Sequence, residues 1–444
     1  MSKEMPKPVG ESAMQSVAIT TLGCKINQFE SAAMQETLTK RGFRIVPFSE
    51  RADVYIINTC TVTARTDSES RRLIRRAARQ NGAARIVVTG CYAQVAAEEL
   101  KDLPGVTLVV GNTEKKGIDL LLEATESEQT VHVSDIFREE RAEALPLEIF
   151  AEHTRAFLQI QTGCNEYCAY CIVPYARGKS RSVPIADVLS GIDVFVAKGY
   201  REVVLTGIHL GAFGLDLEPR TNLLELLEAI ERKRLVERLR LGSVEPQEMS
   251  GPLIDFFAAS DRLCPHLHIP LQSGSDLVLG RMNRRYSTDL YRRLVEELVQ
   301  RSPDVCLGAD VITGFPGESE AEFVAGYRFI ESLPLAYLHV FPFSARKGTP
   351  AAAMGNRVPD RVIRERVTAL RTLSEAKKQA FAARFVGREL PVLFLGKGKN
   401  GLLNGLSRNY LQVAVEGSAA LVNSEQPVRI TAAKSGCVRG ELLA

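Results

Sequence analysis

Three cysteines in one short loop carry the most pointed chemistry in this chain. Cys164, Cys168 and Cys171 stand in GCNEYCAYC as CxxxCxxC, directly after an apolar, strand-like run at residues 157–162. Three thiolates on such a loop can hold three irons of a [4Fe–4S] cluster, leaving the fourth iron open to a small-molecule chelate. S-adenosylmethionine (SAM), bound there through its amino and carboxylate groups, can receive an electron and break to a 5′-deoxyadenosyl radical. A closed zinc site is the weaker reading, because it needs four ligands and no histidine lies closer than His153.

A second set is dispersed. Cys24, Cys60 and Cys91 each follow an apolar extended run (residues 17–22, 54–58 and 86–88) and each precedes helical sequence. Any one of them alone reads as a small buried hydrophobe. At equivalent ends of neighbouring strands the three can meet in one crevice and hold a second cluster, whose own open iron can carry exchangeable sulfur. Cys264, Cys306 and Cys437 lack partners at ligand spacing and read as buried or incidental thiols. His266 and His268 alternate in PHLHIP, so both face one side of a strand. They read as hydrogen-bonded core histidines ahead of metal ligands. Tyr170, inside the cysteine loop, is placed to pack against a cofactor's adenine. Gly207, Ser243, Glu245, Gln272 and Asp310 fall at strand ends, from which they can reach a ligand.

These residues need a scaffold, and its pattern is alternating strand and helix. In the first segment this implies a parallel α/β sheet whose carboxyl edge carries the three dispersed cysteines. Six further strand–helix units, with strands near residues 157–162, 203–207, 239–244, 266–271, 307–313 and 337–343, imply a partial (β/α)6 barrel. The last segment is β-rich and broken by Gly, Asn and Ser, which implies a small all-β barrel. The expected fold class is therefore α/β with an appended β-barrel. The expected divisions are 16–128, a linker at 129–149, 150–385 and 386–444.

The charge balance is nearly even, with 56 basic and 53 acidic residues among 444 and a net charge of +3. That excludes a general polyanion binder and leaves nucleic-acid contact to local patches. Arg65, Arg71, Arg72, Arg75, Arg76, Arg79 and Arg85 form one, RMNRRY at 281–286 a second, and the C-terminal segment from Arg388 holds seven basic residues against four acidic. Together they point toward RNA phosphates. No apolar run approaches the roughly 18 residues of a membrane span, and residues 1–16 carry no signal-like stretch, so the expectation is a cytoplasmic protein without a membrane partner.

At these motifs the sequence resembles the radical-SAM methylthiotransferases. The resemblance runs from about Ser16 to Leu443 through TLGCKINQFES, NTC, TGCYAQ, GCNEYCAYCIVPYARGKSRS, LTGIHLG, PHLHIPLQSGS, DVITGFPGE and HVFPFSARKGTPAA. GLSRNYLQV near the C-terminus is similar to the family's TRAM domain, an OB-like RNA-binding module. The resemblance implies an auxiliary [4Fe–4S] cluster on Cys24, Cys60 and Cys91 and a SAM-binding [4Fe–4S] cluster on Cys164, Cys168 and Cys171. Within the family, GCKINQFE resembles the branch that modifies N6-threonylcarbamoyladenosine 37 in a tRNA anticodon loop. The isopentenyladenosine branch usually reads GCQMN, and the ribosomal-protein branch carries another pattern. The implied reaction consumes two SAM molecules, one for the methyl group and one for the radical that takes hydrogen from adenine C2. It also needs a reducing electron donor and a sulfur donor. The competing readings are the same chemistry on isopentenyladenosine or on a ribosomal-protein aspartate and, in another class, an iron–sulfur redox sensor that binds RNA.

Overall fold

In the N-terminal segment every residue of the run VYIINT is buried, the mark of a strand covered on both faces. The computed structural model describes residues 14–124, 129–142, 145, 147–150, 154–398, 401–434 and 437–443. What the sequence suggests for residues before Met14, for His153 and Lys399, and for the side chains of Lys434 and Cys437 lies outside the described residues. Strands β1 (Ser16–Thr21), β2 (Arg44–Val46), β3 (Val54–Thr59), β4 (Arg85–Gly90), β5 (Val106–Val110) and β6 (Thr130–His132) form one sheet in the order β2-β1-β3-β4-β5-β6. All its pairs are parallel. Side chains alternate between two cores. Tyr55, Ile57, Ile86 and Val88 pack with Leu73 and Ile74 of helix Ala64–Gln80 on one face, while Val54, Ile56, Val87 and Leu108 pack with Met34 and Leu38 of helix Lys25–Lys40 on the other. β6 lies within 129–149, the stretch expected as a linker, and extends the sheet beyond β5. A three-residue edge strand is too short to show a period in sequence.

The second unit is the incomplete barrel. Its parallel strands are β7 (Arg155–Gln159), β10 (Glu202–Thr206), β11 (Arg238–Leu241), β12 (His266–His268), β13 (Cys306–Thr313) and β14 (Tyr337–Pro342), with a short antiparallel pair, β8 (Gln161–Thr162) and β9 (Arg181–Ser182), beside the cysteine loop. Sheets β11-β10-β7 and β12-β13-β14 are joined by single parallel bridges, Leu239 with Leu263 and Ser243 with His268, so six strands curve as one open wall.

The third unit is a closed barrel, β15 (Glu389–Lys397), β16 (Leu403–Ser407), β17 (Gln412–Val415), β18 (Glu425–Lys434) and β19 (Cys437–Leu442), filled by Val392, Phe394, Leu403, Val413, Val428 and Ile430. Buried charge fastens it to the open wall. Arg238 and Arg240 of β11 are both fully buried and both bond Glu202 of β10 at 2.8 and 2.9 Å. Their remaining donors reach the carbonyls of Leu406 and Arg408 across the junction, each at 3.1 Å. Buried ions persist only when their charge and donors are matched, and Glu202, these carbonyls and Glu425, which pairs with Arg238, supply the match. No helix among the described residues is long and apolar enough to cross a membrane.

Candidate functional site

Cys24, Cys60 and Cys91 end three strands that are direct neighbours, β1, β3 and β4. Cys24 sits at the N-cap of helix Lys25–Lys40 and Cys91 opens helix Cys91–Val95, so the chain turns sharply at both. The preceding glycines permit this. Gly23 has φ +101°, and a side chain there would meet the Cys60 Cβ at 2.7 Å and its Sγ at 2.9 Å. Gly90 has φ +96°, and a Cβ would lie 2.3 Å from the Thr59 carbonyl oxygen. Only glycine lets these strand ends close on one another. Burial pushes the Cys60 thiol up to about 12, reinforced by Cys91 and Cys24. Cys24 is exposed as a residue, yet packing around its sulfur raises the thiol, while the Arg177 guanidinium works in the opposite direction.

The second trio is local. Cys164 follows β8; Cys168 and Cys171 turn back on themselves through a Cys171 N–H to Cys168 carbonyl bond of 2.9 Å. Polar hydrogens point at these sulfurs. The Glu166 amide lies 3.5 Å from the Cys164 Sγ and Arg284 Nη1 lies 3.2 Å from the Cys168 Sγ. His209 stands 3.8 Å from the Cys164 Sγ and 2.5 Å from Glu248. Burial disfavours its charged ring, but the contacts to Cys164 and Glu248 outweigh burial and push it up to about 11. Burial lifts Cys171 to about 12, with Cys168 adding to the effect. Enclosed thiols of this kind ionise only against a compensating positive charge, as metal-ligating sulfur does. Both trios therefore suit iron coordination by donor type and by environment.

One cavity of about 660 Å³ joins the two sets. Cys24, Cys164, Cys168 and Cys171 line it, as do Tyr170, Gly207, Ser243, Glu245, Gln272 and Asp310, so all six residues expected at the ligand are in its wall. Cys60 and Cys91 stand behind Cys24, close enough for their charges to act on one another. Glu245 is tied to Arg284 at 2.7 Å, and Gln272 takes a left-handed φ of +62° while bridging to Val311. Asp310 lies between His268 (2.9 Å) and His339 (3.3 Å). The donor atoms of these three converge within 4.8 Å, a geometry able to hold a metal ion. His266 and His268 do share one side of their strand, and both bond the Tyr337 hydroxyl, at 2.9 and 3.2 Å.

Buried ions clamp the two cysteine-bearing regions together. Glu30, one turn and a half beyond Cys24, receives Arg177 at 2.8 Å and Lys115 at 2.6 Å. Burial would raise the Glu30 carboxyl, but Arg177 and Lys115 outweigh it and hold it down to about 2. Arg177 also donates to the Asn27 side chain at 2.6 Å, and Asn27 in turn ties Leu22 and Thr59 at the ends of β1 and β3. Arg177 follows the Cys171 loop closely, so one residue braces both trios. A second clamp joins Arg346, beyond β14, to Asp67 and to Thr61 (2.7 Å) just after Cys60.

The motif RMNRRY does not form the surface patch its composition suggested. Arg284 turns inward to Cys168 and Glu245, Arg281 pairs with Glu322 at 3.0 Å, and only Arg285 of the three is exposed. Two enclosed carboxylates explain the inversion, since each needs a partner. On helix Ala64–Gln80, Arg65, Arg72, Arg75, Arg76 and Arg79 are exposed, as expected. Lys25, Arg177, His209, Arg284, His339 and Arg346 are site residues that spacing along the chain did not single out. The signal available for Arg177 and Glu30 was their place inside the quoted cysteine motifs.

Comparison with known proteins places these units. Residues 16–111 match a family described as Uncharacterized protein family UPF0004, residues 158–330 the Radical SAM superfamily, and residues 383–443 the TRAM domain. The chain is 39% identical over 403 residues to the threonylcarbamoyladenosine tRNA methylthiotransferase MtaB of Aquifex aeolicus, spanning 90% of this chain and 97% of that one. It is 34% identical over 439 residues to the tRNA-2-methylthio-N(6)-dimethylallyladenosine synthase of Maricaulis maris, 96% of each. Among solved structures, the radical S-adenosylmethionine methyltransferase TsrM from Kitasatospora setae, with cobalamin and a [4Fe–4S] cluster bound, aligns with a TM-score of 0.56 at 17% identity over 76% of this chain and 77% of that chain. That last likeness is one of fold.

Proposed function

The chain belongs to the radical-SAM tRNA methylthiotransferases, and on that premise we propose that it installs a methylthio group at C2 of N6-threonylcarbamoyladenosine 37 in the tRNA anticodon loop. In this reading Cys24, Cys60 and Cys91 hold an auxiliary [4Fe–4S] cluster and Cys164, Cys168 and Cys171 a SAM-binding one. The observation that carries it is the shared cavity, lined at one place by Cys24 and at another by the CxxxCxxC loop. When bound, cluster and SAM together supply a carbon radical, which a C2–H bond requires because it is neither acidic nor polarised enough for a general base.

The protein's part is positioning. Arg284, neutralised on its other side by Glu245, holds a charged hydrogen bond against Cys168, and His209 does the same beside Cys164. Tyr170, Gly207 and Ser243 line the cavity in which a nucleoside would lie. Arg177 and Glu30 keep the two cysteine regions at a constant separation, which is what a transfer between two bound groups demands. The target base has to leave the anticodon-loop stack, an inexpensive step in single-stranded RNA. Exposed arginines on helix Ala64–Gln80 and the TRAM barrel suit the phosphates around it.

The test offers reconstituted protein, SAM and a strong reductant three substrates: anticodon stem-loops carrying threonylcarbamoyladenosine or isopentenyladenosine, and the ribosomal-protein target. Methylthiolation of the first with little of the others is expected. Preference for isopentenyladenosine would transfer the chain to the activity named for the Maricaulis maris relative. Absence of any SAM cleavage to 5′-deoxyadenosine would favour the redox-sensor reading.

A further inference from the structure

The charges that line the cavity are nearly all matched. Arg284 pairs with Glu245 at 2.7 Å, His209 with Glu248 at 2.5 Å, and His268 and His339 share Asp310. Lys25 is the exception among the cavity's Lys and Arg residues: no carboxylate of the described residues lies within ion-pair distance of it. Its ammonium group instead stands 6.0 Å from the centre of the Phe157 ring on β7, inside the curve of the open barrel. The carboxylate nearest in charge terms, Glu202, is already saturated by Arg155, Arg238 and Arg240 at 3.3, 2.7 and 2.9 Å. Arg155 and Arg240 therefore add positive potential around Lys25 without supplying an anion.

We propose that Lys25 is a carboxylate-binding subsite, and that it recognises an acidic substituent carried on N6 of the target adenine. The inference rests on the reading above that threonylcarbamoyladenosine is the substrate, and deepens it by assigning the residue that selects it. A half-buried cation with no carboxylate partner among the described residues gains from a ligand carboxylate both Coulomb energy and a charge-assisted hydrogen bond. An alkyl substituent such as isopentenyl offers neither and leaves the ammonium group uncompensated, which is how a polar subsite rejects an apolar analogue. Arg284, at Cys168, is the cation placed for groups near the other trio, so the two cations divide the cavity between them.

The experiment measures affinity of the reconstituted wild type, Lys25→Met and Lys25→Arg for three anticodon stem-loops. One carries threonylcarbamoyladenosine, one the same group with its carboxylate replaced by a primary alcohol, and one plain adenosine. Wild type should prefer the acid over the alcohol by about tenfold to a hundredfold. Lys25→Met should abolish that preference with iron content unchanged, and Lys25→Arg should keep most of it. The proposal is overturned if Lys25→Met retains the preference, weakens acid and alcohol equally, or loses affinity for SAM in place of selectivity for RNA. A wild type that binds acid and plain adenosine alike, and methylthiolates neither, defeats the substrate reading itself; a selective wild type with an equally selective Lys25→Met defeats only this assignment.

Discussion

Cys164, Cys168 and Cys171 come from a single loop beside β8, whereas Cys24, Cys60 and Cys91 are gathered from three strands by the pairing of β1, β3 and β4. The first arrangement is local and its supports, Arg284 and His209, act on the sulfurs directly. The second exists only when the sheet is formed, and its supports are glycines that allow close approach and a buried ion triad whose Arg177 comes from the neighbouring unit. Disturbance of the sheet or of the junction should therefore cost the dispersed trio first.

The largest effect is expected at the junction. Glu30→Gln leaves Arg177 and Lys115 without their carboxylate in a buried site, at a cost of about 3–5 kcal/mol in unfolding free energy. The pH dependence has a definite sign. Because Glu30 is held down to about 2 from 4.5, its contribution is complete above about pH 4.5 and is lost as pH falls toward 2. Acid unfolding of Glu30→Gln should lack that part of the slope.

Next is Arg284→Met, which unpairs Glu245 and removes the donor to Cys168. Iron retention at the loop trio should weaken about 10- to 100-fold while iron at the dispersed trio persists. Gly23→Ala should do the reverse. Its left-handed φ costs roughly 1–2 kcal/mol for a residue with a side chain, and the new methyl group strikes Cys60, so iron should fall at the dispersed trio alone. Titration against chelator, followed by absorbance, separates the two cases. The smallest effect belongs to the surface. Replacing Arg75, Arg76 and Arg79 each by Glu should reduce the salt dependence of RNA affinity by about 0.7–0.9 logarithmic units for every phosphate no longer neutralised, leaving iron content unchanged.

Much of this was legible in sequence because the decisive residues are marked by local pattern. The CxxxCxxC spacing, the apolar runs that end in cysteine, and the β-rich tail all depend on near neighbours, and the α/β fold with its closed C-terminal barrel follows them. β2 and β6 escaped because three-residue edge strands have no measurable period. Arg238 and Arg240 are buried because Glu202, Glu425 and the carbonyls of the C-terminal barrel consume their donors, partners that no local pattern in RLRL records. The roles of Arg284 and Lys25, which sit in the quoted motifs RMNRRY and GCKINQFE, escaped for a related reason. Their significance lies in which partner is present or missing across the cavity, a property of tertiary structure that spacing along the chain does not record.

The central claim is that this chain builds two separate three-thiolate iron sites, and iron and sulfide content of anaerobically purified protein tests it most directly. Wild type should carry about eight irons per chain, and replacement of either trio by alanine should leave about four. A wild type with about four irons, or a trio replacement that leaves the total unchanged, would contradict it.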